Sequence, residues 1–134
     1  MAIANIKEIF PCEVEKVWNL VTSLDNYAWR SDLSKIEKLI PEKKFVEYTK
    51  DGYATTFTIT EVEPMKRYAF DIENENMQGH WVGLFSYDNQ KTRVDFTEDI
   101  TVKKVLMKPF VGIYLRKQQA TYMEDLKSAL GYLK

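Results

Sequence analysis

Cysteine and histidine are nearly missing from this chain. Cys12 is the only cysteine among 134 residues, so no internal disulfide can form, and a lone thiol suits a reducing compartment. His80 is the only histidine. One histidine cannot build a His-rich metal site, and Cys12 lies far along the chain, so no metal is expected. The same scarcity leaves no compelling Ser, His and acid trio. No apolar run approaches the length that crosses a bilayer, so stable membrane insertion is not expected. The N-terminal MAIANIKEIF carries Lys7 and Glu8 where a signal peptide would need an unbroken apolar core. Cytoplasmic location is the expectation. Neither sign of charge dominates: 19 basic and 20 acidic residues leave a net charge of −1. That balance gives no global reason to expect nucleic acid or an anionic membrane as the partner. A Gly-rich phosphate loop is also lacking. Gly79 and Gly83 sit inside a strand pattern, where glycine marks curvature or close backbone approach. No cofactor is expected.

What is present is apolar and aromatic. Hydrophobic residues make up 45% of the chain, which argues against disorder. A chain of this length buries roughly two thirds of its unfolded surface. With no repeat, linker or low-complexity tract, residues 1–134 are expected to form one domain. Aromatic residues are 13% of the total, and such side chains fill cores or line cavities for apolar ligands.

Residues 2–10 have the character of a first strand. Val14, Val17, Trp18 and Val21 then fall at i, i+3, i+4 and i+7, one face of a helix of about three turns. Asp25 is placed to cap a second short helix running to about Asp32. From Leu33 to Val102 strand follows strand. Lys50-Asp51-Gly52 and Asp88-Asn89-Gln90 are turn signals, and Pro41 and Pro64 punctuate further boundaries. Tyr68, Phe70 and Ile72 alternate, as do Trp81, Gly83, Phe85 and Tyr87, and later Val94, Phe96, Ile100 and Val102. Short turns between successive strands mean antiparallel pairing. The segment from about Pro109 to Tyr132 is helical, roughly 35 Å long. Its predicted stripe is Phe110, Val111, Tyr114, Gln118, Thr121, Tyr122, Leu126, Ala129, Leu130 and Leu133. Gly112 weakens its first turn by about 1 kcal/mol relative to alanine.

Strand, two short helices, about six antiparallel strands and a long terminal helix is the helix-grip order of an α+β fold. Four segments carry a family resemblance: Phe10-Pro-Cys-Glu-Val-Glu-Lys-Val-Trp18, Trp29-Arg30-Ser31-Asp32-Leu33, Glu63-Pro64-Met65-Lys66-Arg67, and Lys117-Gln118-Gln119 through Asp125 to Leu130. Over nearly its full length the chain resembles the polyketide cyclase/dehydrase and lipid-transport branch of the START-like (SRPBCC) superfamily. The resemblance implies a curved sheet of about seven strands wrapped on the C-terminal helix, with a cavity between them. It also implies a small, largely apolar ligand, lipid-like or polyketide-like. Relatives of this kind include ring-closing enzymes and activators of a chaperone ATPase. A cyclase or dehydratase and a protein-interaction module therefore stand as alternatives, because fold alone does not choose among functions.

If that cavity exists, strand parity sends Phe57, Phe70, Trp81, Phe85 and Phe96 towards it from the sheet. Phe110, Tyr114 and Gln118 would reach it from the helix, and Trp29 from the short-helix region. The plainer alternative is that these side chains only pack a solid core. One enclosed, mostly apolar pocket of about 300 Å³ or more is expected. Glu98 holds an inward slot between Phe96 and Ile100 where an apolar residue belongs. A carboxyl there either binds a ligand's polar end or moves a proton, or a bulge or an Arg or Tyr partner accounts for it. Glu8 shares parity with Ala4, Ile6 and Phe10, and Glu47 lies on a strand of mixed parity. His80 is opposite Trp81 in parity and should face away. Lys103, Lys104, Lys108, Arg116 and Lys117 form a loose basic cluster, first of all a solvated face and secondarily a weak membrane contact.

Overall fold

A computed structural model describes residues 2–132. Strand β1 (Ala2–Phe10) is followed by helix α1 (Val14–Thr22). Six strands come next: β2 (Leu33–Ile40), β3 (Lys44–Thr49), β4 (Ala54–Glu63), β5 (Arg67–Glu73), β6 (Met77–Asp88) and β7 (Lys91–Val102). A 3-10 turn (Val105–Met107) leads into the long helix α2 (Val111–Ala129). Sheet order is β1-β7-β6-β5-β4-β3-β2, antiparallel throughout. Strands β2 to β7 run as a meander, and β1 closes the far edge against β7. This is the helix-grip α+β architecture.

Local sequence explains the corners. Asn89 and Gln90 both have positive φ, 51° and 62°, the backbone that joins twisted antiparallel strands through a two-residue turn. Gly52 at φ 83° closes the β3–β4 turn, where a Cβ would be strained. Within β6, a Cβ on Gly83 would stand 2.5 Å from Cη2 of Trp81. The missing side chain is what lets the Trp81 indole lie down along its own strand.

The second short helix expected from Asp25 is reduced to turns over residues 23–32. Ser23, rather than Asp25, organises them: its hydroxyl accepts from the backbone N–H of Asn26 at 2.9 Å and of Asp25 at 3.3 Å. Arg30 and Ser31 are then drawn to partners elsewhere. The Ser31 N–H and hydroxyl both donate to Asp125 of α2 at 2.8 Å, and those tertiary bonds replace a helical path.

Helix α2 meets the sheet on a face about one residue away from the predicted stripe. Leu115, Gln119, Met123 and Leu126 are its buried residues. Phe110 is 66% exposed, Tyr114 half-exposed and Ala129 exposed, and Leu133 lies outside the described residues. Gln119, a polar residue, is anchored on that core face. Its amide donates to the carbonyl oxygen of Ala4 at 3.1 Å and reaches that of Phe96 at 3.5 Å. Lys127 adds an ion pair to Glu8 at 2.7 Å. The core holds Phe10, Val17, Phe96, Ile100, Leu115 and Leu126, all nearly sealed from solvent. Each of the larger ones contributes about 1.5–3 kcal/mol by leaving water.

Candidate functional site

Strand β7 buries every second residue from Thr92 to Val102 without interruption, and its pairing with β1 and β6 runs without a register shift. No bulge turns Glu98 outwards. It sits between Trp81 of β6 and Ala4 of β1, is 8% exposed, and lines a cavity between the sheet and α2. Neither Arg nor Lys pairs with it among the described residues.

The cavity is about 150 Å³, half the expected size. The aromatic side chains lie against one another and take the rest. Phe70 stacks on Trp81 with centroids 4.8 Å apart, and Phe45 stacks on Phe57 at 5.0 Å. Phe57 meets Phe70 edge-on at 5.1 Å, and Trp81 leans on Phe96 at 5.0 Å. These rings form one continuous apolar wall across β3 to β7.

A charged cluster lines the same cavity. Arg30 forks onto Asp32 at 3.1 and 3.0 Å and reaches both oxygens of Glu47 at 3.5 and 3.4 Å. Its guanidinium lies over the Tyr122 ring at 4.8 Å, and Tyr122 meets Trp29 edge-on at 5.4 Å. Burial opposes the Arg30 charge, but the neighbouring Glu47 and Asp32 outweigh it and hold the side chain protonated. Burial also pushes the Glu47 carboxyl up, against the pull of Arg30. Burial, with Glu47 adding to it, raises Glu98 to about 7. Burial, then the charge of Glu98, raises the Tyr114 phenol, and burial raises Tyr68 to about 12.

Of the ten residues expected at the site, Phe57, Phe70, Trp81, Phe96, Glu98, Tyr114 and Gln118 line the cavity. Three do not. Phe85 is buried behind it, edge-on to the Trp18 indole of α1 at 5.0 Å. Trp29 supports Tyr122 and Arg30 from outside, its indole N–H donating to the Asn26 carbonyl oxygen at 3.0 Å. Phe110 precedes the first turn of α2 and points to solvent with Val105, Leu106 and Ile113. Sequence reasoning missed Arg30, Asp32, Gln119 and Tyr122 as lining residues. A signal for the first pair was present: Arg30 and Asp32 are charged neighbours in a segment otherwise rich in aromatics. Glu47 faces the cavity, whereas Glu8 is carried away to Lys127. His80 faces outwards and contacts Asp71, Nδ1 to Oδ1, at 2.6 Å. Lys103 of the basic cluster pairs with Glu73 at 3.0 Å. No helix among the described residues is long and apolar enough to cross a membrane.

Curved sheet, gripping helix and the space between them define a START-like domain. The family model described as polyketide cyclase / dehydrase and lipid transport matches residues 1–131, and the chain belongs to that family. No curated protein matches the sequence. Among solved structures, a START superfamily protein from Mycobacterium smegmatis superposes with a TM-score of 0.80 at 11% identity, covering 95% of each chain. A conserved protein from Geobacillus kaustophilus gives 0.79 at 13% identity, over 95% of this chain and 93% of its own. DynU16 of the dynemicin biosynthetic locus gives 0.78 at 14% identity, over 97% of this chain but 47% of its own. At these identities the likeness is one of fold.

Proposed function

We propose that this protein binds or carries a small, largely apolar molecule with one polar end, held between the sheet and α2. One observation carries the proposal: an aromatic wall and an unpartnered, buried carboxyl, Glu98, face the same cavity. Apolar walls with a few placed polar groups are the usual composition of ligand sites. The cavity's modest volume favours a ligand of about one ring over a long acyl chain, and family membership supports the apolar class. Native mass spectrometry after gentle purification tests this. The expected spectrum carries a small added mass that denaturation releases. Protein that is bare from every gentle preparation, and that takes up no one-ring aromatic when offered, contradicts it.

A second function, proton transfer in a cyclase or dehydratase, is favoured by the same carboxyl's rise to about 7. A group that titrates near neutrality can both give and take a proton. Glu98→Gln separates the two: a carrier keeps binding neutral ligands, whereas an enzyme binds and no longer turns over.

A further inference from the structure

Three carboxylates line the cavity and one cation answers them. Among its described lining residues only Arg30 carries positive charge, against Asp32, Glu47 and Glu98. Arg30 is already engaged. Its shorter bonds go to Asp32 and its longer ones to Glu47, and its flat face rests on Tyr122. Nothing is left for Glu98, whose titration is governed by burial and by the like charge of Glu47, with no hydrogen bond to relieve it. A buried carboxylate without a partner is costly unless something bound to it supplies positive charge or donors.

We infer that the polar end of the ligand is a protonated amine, attached to a single aromatic ring, with its ammonium on Glu98 and its ring against the Phe70–Trp81 stack. The inference rests on the proposed ligand-binding function and narrows it. An ammonium offers three donors and cancels charge between Glu98 and Glu47. A ligand carboxylate would be repelled, and a neutral hydroxyl would leave the charge unanswered. Aromatic faces favour a cation further. Size fits as well: apolar cavities of about 150 Å³ admit benzene, and this one has the same volume.

The groups facing Glu98 set the pH response. The turns over residues 23–32 bring Arg30 and Asp32, β3 brings Glu47, the β3–β4 turn brings Tyr53, and α2 brings Tyr114 and Tyr122. From β1, β4, β5 and β6 the cavity receives no charged side chain. Arg30 stays protonated and the phenols of Tyr114 and Tyr122 are raised, while Glu98 titrates at about 7. Amine binding therefore strengthens as pH rises through about 7, while binding of a neutral analogue stays level.

Calorimetric titration with benzylamine, benzyl alcohol and phenylacetate, from pH 6 to pH 8.5, tests this. At the upper end benzylamine should bind about tenfold or more tightly than benzyl alcohol, the scale of a charge-assisted hydrogen bond, and phenylacetate should bind least. Glu98→Gln should remove most of that preference, and the pH series on the unaltered protein gives an independent check. If benzyl alcohol or phenylacetate matches the amine, or the amine's affinity does not rise with pH, the amine assignment falls and ligand binding stands. If none of the three binds, the amine assignment falls, and ligand binding falls with it when gentle preparations are also bare.

Discussion

At the scale of the residue, Glu98 sets how stability responds to pH. Its folded pKa of about 7 lies above the ordinary value of 4.5. Stability contributed by its neutral form is complete below about 4.5 and is lost as pH rises through about 7. The shift corresponds to a loss on the order of 3 kcal/mol at most. Glu98→Gln should thus match the parent near pH 4.5 and exceed it in stability at pH 8, by a margin up to that size. Urea unfolding at the two pH values measures the difference. Equal stability at pH 8 would show that water or neighbouring groups satisfy the ionised carboxylate. Gly83 invites a second test. An alanine methyl there collides with Trp81 and approaches Phe96 at 3.2 Å. Gly83→Ala should cost about 1–3 kcal/mol, as overpacking does, and should weaken binding of a one-ring ligand because Trp81 must move. Unchanged unfolding midpoints would mean that the ring has another place to lie.

Among the elements, α2 carries the sharpest contrast. Leu126 is fully buried and Phe110 is exposed, although both belong to the stripe read from the sequence. Leu126→Ala should lose about 2–5 kcal/mol, whereas Phe110→Ala should stay within about 0.5 kcal/mol of the parent. Tyr114→Ala, at a half-exposed lining position, should fall between them and alter ligand affinity. Thermal melts of the three variants, with and without benzyl alcohol, provide the comparison. The strands were legible because side chains alternate with period two and turns punctuate them. Hence the alternation alone puts Glu98 on the inward face of β7. The rotation of α2 was not legible. Gln119 is polar and reads as solvent-facing, yet its partners are carbonyls of Ala4 and Phe96, more than 20 residues distant in sequence. The turns over residues 23–32 were hidden for the same reason, since Asp125 and Glu47 bend them from afar. Phe85 had the right parity but the wrong end of the sheet, and parity does not say how far along a strand the cavity extends.

In the molecule as a whole, the helix-grip fold leaves a space between sheet and α2 that is lined by both aromatic and charged side chains. The charged lining is assembled from three separate segments: Arg30 and Asp32 from the turns, Glu47 from β3, and Glu98 from β7. Such convergence is a property of the tertiary fold, and a local sequence pattern carries only its parts. The most direct measurement is a ¹⁵N chemical-shift titration with benzyl alcohol, a neutral probe whose uptake depends on the cavity and not on the charge of its ligand. Saturable shifts should gather on the Trp81 indole N–H and on the backbone around Phe96, Glu98, Gln119 and Tyr122. Shifts that never saturate, or that collect instead on the exposed apolar surface of Val105, Leu106, Phe110 and Ile113, would contradict a binding site between sheet and helix.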